Sequence, residues 1–121
     1  MRITRTALLV VLAVVLTSCA TTPVEREVPA DGSASAFVLN RSQFGITVYI
    51  AGSANRYRLG FVDAMSSGRF RIPGEMVLAG GSFALVAEGR GAGPDYVSDP
   101  FVIQPGYIAN WRLPDNNIHV R

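Results

Sequence analysis

The chain has 121 residues, 49% of them hydrophobic, with eleven basic and nine acidic side chains, one cysteine and one histidine. That length holds one domain core and no second, and a lone cysteine and a lone histidine exclude an intrachain disulfide framework and a multi-His or Cys/His metal cage. The formal charge of +2 points to phosphates or anionic surfaces only if it belongs to the working protein.

Residues 1–19 read MRITRTALLVVLAVVLTSC. Arg2 and Arg5 make a basic start, and Ala7–Leu16 is an unbroken apolar run of ten. Such a run is too short to span a bilayer core, which takes about 20 residues, and it fits a secretory leader. Leu16-Thr17-Ser18-Cys19 ends it: a branched apolar residue, two small ones, then cysteine. This quartet resembles the lipobox of bacterial lipoproteins. The resemblance implies that Cys19 is joined through its thiol to a diacylglycerol and that a signal peptidase cuts between Ser18 and Cys19. It also implies that the new amine is acylated. Ala20, standing where aspartate would favour inner-membrane retention, implies the outer membrane of a Gram-negative envelope.

Removing residues 1–18 takes away Arg2 and Arg5 and no acid, which leaves nine arginines against nine acids. The basic excess therefore belongs to the precursor, and nucleic-acid binding loses its main support.

Residues 20–35, ATTPVEREVPADGSAS, carry Pro23, Pro29, charges and small polar residues but no aromatic one. A segment of this kind buries too little apolar surface to offset its ordering entropy. Residues 19–35 are accordingly expected to be the lipidated cysteine and a flexible tether, and 36–121 the folded domain.

From residue 36 apolar and polar residues alternate with period two: Phe37 and Leu39; Ile46, Val48 and Ile50; Tyr57, Leu59 and Phe61; Phe70 and Ile72. Further runs follow at Phe83–Ala87, Phe101–Ile103, Tyr107–Leu113 and Ile118–Val120. Alternation of this kind marks half-buried strands, and glycine, proline, asparagine and serine clusters punctuate them. Seven or eight short strands at this spacing predict an all-β fold, a single small antiparallel β-sandwich of Ig-like or transthyretin-like type. Glu75–Leu78 is expected to form at most one helical turn. A hairpin centred near Met65-Ser66 would place Leu59 opposite Ile72 and Phe61 opposite Phe70, with Val62 outside. Phe37 and Trp111 are expected in the core.

Arg58, Arg69 and Arg71 fall on one outer face in that register, with Arg56 nearby. Guanidinium groups so placed suit a carboxylate, a phosphate or an acidic polysaccharide, and they equally suit a solvated sheet face that discourages edge pairing. The glycine-rich stretch Gly89–Asp95 lacks the helix start and Lys-Ser/Thr of a phosphate loop, so it is expected to be an inter-strand loop. Asp95 with Asp99 is too sparse an oxygen set for calcium. Met65, Met76 and His119 offer soft or imidazole ligands, yet methionines commonly fill gaps, and no metal or other cofactor is assigned. His119 sits in no nucleophile motif, so no catalytic residue is assigned either.

Val48-Tyr49-Ile50, Arg58–Val62, Gly81–Leu85 and Val102-Ile103-Gln104-Pro105-Gly106 make the domain resemble small bacterial accessory modules of the PEGA, transthyretin-like and carboxypeptidase-regulatory-like kinds. That resemblance implies a noncatalytic role. Two readings stand. In the first, a lipid-anchored envelope lipoprotein presents its sandwich to a protein partner, with Tyr49, Val62 and Val86 off the core. In the second, the arginine face holds an acidic glycan or another anion.

Overall fold

The computed structural model describes residues 27–121. The expected leader 1–18, Cys19 and the first part of the expected tether lie outside the described residues. The fold is a β-sandwich with eight strands and one short helix: β1 (Ala34–Asn40), β2 (Ile46–Ala51), β3 (Arg56–Val62), β4 (Ser66–Ile72), α1 (Gly74–Ala79), β5 (Ala84–Gly89), β6 (Tyr96–Val97), β7 (Ile108–Leu113) and β8 (Ile118–Val120). The first sheet runs β4-β1-β7-β8 and the second β3-β2-β5-β6. All pairings are antiparallel except β1 with β7, which run parallel. The expected sandwich is present, with this one departure from a wholly antiparallel plan.

Alternation decides which side of each strand meets the core. In the second sheet Ile46, Val48, Ile50, Leu85 and Ala87 are buried, as read from the sequence. In the first sheet Ala109, Trp111 and Leu113 face inward on β7. On β1 the phase is opposite to the expected one. Ala34, Ala36, Val38 and Asn40 are inside, and Phe37 and Leu39 stand half-buried on the outer surface. Two features fix that phase. Val38 lies beside the bulky Trp111 on β7, which small neighbours accommodate. Asn40, fully buried, works as a clamp at the strand end.

The Asn40 side chain donates from Nδ2 to the Phe44 and Asp63 carbonyls at 2.8 and 3.1 Å. Its Oδ1 accepts from the Ser42 backbone N–H and the Ser42 hydroxyl at 3.0 and 2.7 Å. One side chain thus ties together the β1–β2 and β3–β4 connections. Both cross from one sheet to the other. A buried amide so fully satisfied is stabilising, whereas an unsatisfied one would cost about 1–3 kcal/mol.

The expected β3–β4 hairpin is not formed. β3 pairs with β2, and β4 pairs with β1 in the other sheet. The turn at Met65, which takes a positive φ of 54°, is a corner between layers. A bulge reinforces the change: Val48 faces Gly60 but Tyr49 faces Arg58, so Leu59 is the extra residue. The bulge reverses the strand's parity, turning Val62 into the core at 2% exposure and Phe61 out to solvent. Phe70 does not pair with Phe61. Its ring packs across the sandwich over Gly60, where a Cβ would come within 2.6 Å of it.

The packed domain begins earlier than residue 36. Gly32 and Ser33 are buried and β1 opens at Ala34. Gly74, at the start of α1, sits so close to the Asp31 carbonyl that a Cβ there would meet it at 1.8 Å. Residues 31–33 are therefore held between α1 and the first sheet, ahead of the expected domain start at residue 36.

Candidate functional site

The outer face of the second sheet is built by the side chains that alternate with its core residues. Tyr49 pairs with Arg58 on one side and with Val86 on the other, and Val86 pairs with Val97. Arg58, Tyr49, Val86 and Val97 thus form one row across all four strands. Beside it, Thr47 stands between Phe61 and Glu88. Arg56 lies over the Tyr49 ring at 3.9 Å and Arg90 over the Phe61 ring at 4.4 Å, both within range for cation–π attraction. Arg56 also pairs with Glu88, which raises its pKa further above the ordinary arginine value. Tyr49 and Val86 are off the core as expected, while Val62 is inside it.

The three arginines named from the sequence are divided by the topology. Arg58 is on the outer face of the second sheet, and Arg69 and Arg71 are on the outer face of the first. Arg71 is paired with Asp31. The surface that assembles around Arg69 depends on cross-strand pairings that alternation does not encode. Reading across the first sheet, Arg69 pairs with Phe37, Phe37 with Asn110, and Asn110 with His119. The next row is Ser67, Leu39 and Arg112, and on the other side Arg71, Ser35 and Ile108, with Ile108 bonded to the Arg121 backbone. Phe37, Leu39, Asn110, Arg112, His119 and Arg121 border an open depression of about 480 Å³. Among the described residues no Asp or Glu side chain lines it. The signal that could have found this face was the odd-numbered phase of β1, which leaves Phe37 and Leu39 outside.

The Asp31–Arg71 pair has a pH signature. The Arg71 guanidinium, followed by the Ser33 N–H that donates to Asp31 Oδ1 at 3.0 Å, holds the Asp31 carboxyl down at about 2, against an ordinary value of 3.8. A depressed carboxyl contributes stability that is complete above its unfolded pKa and is lost as pH falls through the folded one. Residues 31–33 are therefore expected to stay docked at pH 4 and to loosen between about pH 4 and pH 2. In Asp31→Asn they should show that looseness already at neutral pH. Hydrogen exchange at the Ser33 amide measures this. Because the pair is on the surface, global unfolding should shift little.

The remaining candidates stay apart. Asp95 Oδ1 accepts the Gly89 N–H at 2.9 Å and closes the Gly89–Asp95 loop on itself, whereas the Asp99 N–H bonds to the Asn116 carbonyl. Met65 is on the β3–β4 corner, Met76 on α1 and His119 on β8. Among the described residues no three of His, Cys, Asp and Glu come together as a metal site. A second open depression, about 540 Å³, lies between the β2–β3 turn and α1, with Tyr57, Met76 and Phe83 in its wall beside Arg56 and Glu75. No helix among the described residues is long and apolar enough to cross a membrane.

No family model and no curated protein matches the chain. An NMR structure of a protein from Eubacterium rectale superimposes with a TM-score of 0.47 at 7% identity, covering 74% of this chain and 86% of that one.

Proposed function

We propose that this protein is a noncatalytic lipoprotein of the bacterial envelope, held by acyl chains on Cys19, that binds a protein partner through the outer face of its second sheet. The anchor rests on the Leu16–Cys19 lipobox behind a basic start and a ten-residue apolar run, and Ala20 favours the outer membrane. The observation that carries the binding role is the row Tyr49–Val86–Val97, flanked by Phe61 and by arginines stacked on two aromatic rings. Tyrosine, phenylalanine and arginine are enriched where proteins meet. A contiguous apolar strip on a monomer's surface marks an interaction site more often than a scattered residue does. The rings are rigid and the cations already placed, so little side-chain entropy remains to be lost on binding.

A photo-crosslinking residue at Val86, tested in intact cells, is expected to yield an adduct of discrete size. The same residue at Asp115, in the β7–β8 turn, should not. Tyr49→Ala should weaken the adduct by about tenfold or more if the ring is a binding hot spot. No adduct from Val86, or equal adducts from both positions, contradicts the assignment of this face.

A further inference from the structure

We infer that the opposite face of the sandwich, the outer surface of β4-β1-β7-β8, lies against the anionic phospholipid surface in which Cys19 is anchored. This inference rests on the lipid-anchor reading. It adds an orientation: the first sheet faces the membrane and the second faces the partner.

Three observations support it. The first is charge. The outward-facing strand residues here include Arg69, Arg71 and Arg112 and no Asp or Glu. At the edge of this face Asp31 pairs with Arg71, the Glu75 charge also acts on Arg71, and Glu27 borders a hollow with Arg69. On the second sheet the outward strand residues Arg56 and Arg58 stand with Glu88, so the first sheet is the one whose outward strand residues include arginines without an acid. The second is the surface between the cations. Phe37, Leu39 and Ile108 stand half-buried among them, an apolar floor under a cationic border that suits the interfacial zone of a bilayer.

The third is reach. Eight residues lead from Cys19 to Glu27, and a chain of that length spans at most about 29 Å. Glu27, Val28 and Pro29 lie beside Ser35 and Arg69, bordering a shallow hollow with them. The chain therefore enters the domain at the edge of the cationic face itself. An anchor so short, attached there, keeps that face within a few Debye lengths of the lipid. Every arginine near an anionic surface favours the docked state by about fivefold.

The test uses full-length protein recovered from cell membranes and reconstituted into vesicles, with an environment-sensitive fluorophore on a single introduced cysteine. Ser67→Cys reports the first sheet and Val97→Cys the second. In vesicles of phosphatidylethanolamine and phosphatidylglycerol, the Ser67 label is expected to be shielded from an aqueous quencher and the Val97 label accessible. Shielding should fade in phosphatidylcholine and in high salt. The Arg69→Gln, Arg112→Gln double variant should shift docking toward the undocked state by roughly 25-fold.

Anchored protein whose Ser67 label is quenched equally on both lipids overturns the orientation and leaves the anchor standing. Shielding that persists in detergent without lipid means that a second copy covers the face, which also overturns it. Protein that does not stay with vesicles of either kind overturns both the anchor and the orientation.

Discussion

Replacing Cys19 with alanine is expected to abolish incorporation of labelled fatty acid and to leave a precursor longer by residues 1–18. With an ordinary secretory signal in place of that leader, the Cys19→Ala protein should move from the membrane pellet to the soluble fraction. The expected effect is large because the proposed anchor hangs on a single thiol. Acyl chains stabilise attachment by about 0.8 kcal/mol per buried CH₂, and two chains hold where one is marginal. Surface electrostatics alone do not replace them, since a few arginines contribute about 1 kcal/mol each and are screened by salt. The folded domain should be unaffected, because Cys19 precedes the first described residue by eight positions. Fatty-acid labelling that survives the substitution contradicts the account.

Trp111→Ala is expected to be the most destabilising single change in the sandwich. Trp111 is the largest fully buried side chain and sits on β7 between Val38 of β1 and Ile118 of β8. Its Nε1–H donates to the Asp115 carbonyl at 2.7 Å, fastening the β7–β8 turn. Truncation removes the ring, leaves a cavity and strands that carbonyl. Losses of this kind cost about 3–5 kcal/mol, a large part of the roughly 5–15 kcal/mol that holds a small domain together. Trp111→Phe keeps most of the volume and loses the hydrogen bond, so it should fall between alanine and wild type. Urea unfolding followed by far-ultraviolet circular dichroism measures both variants. A midpoint for Trp111→Ala near that of the wild type contradicts the packing described here.

The strand positions were legible because period-two alternation is a direct print of a half-buried sheet. The core residues of β2, β5 and β7 follow from it without further information. Two kinds of error mark its limit. In ASAFVLN both phases carry apolar residues, and the one with the larger side chains, Phe37 and Leu39, is the outer one. The deciding facts are non-local: the bulk of Trp111 next to Val38, and the four hydrogen bonds of Asn40. Asn40 reads locally as a turn residue and is instead a buried clamp.

At β3 and β4, alternation shows that both strands have an apolar side but not whether they share a sheet. A corner and a hairpin make the same demand on the residues. The bulge at Leu59 then reverses the parity of half a strand, which moved Val62 inward. The hairpin register likewise puts Arg58, Arg69 and Arg71 on one face, whereas the topology splits them. The cationic surface around Phe37 depends on the parallel pairing of β1 with β7, which no short-range pattern encodes. Tyr49 and Val86, by contrast, were placed off the core by simple alternation.

Intact-mass spectrometry of the protein extracted from its own membranes tests the proposed processing and acylation of Cys19 most directly. The expected mass is that of residues 19–121 plus a diacylglyceryl group on Cys19 and a further acyl chain on the new amine. A chain that retains residues 1–18, or one cut elsewhere with the Cys19 thiol unmodified, contradicts it.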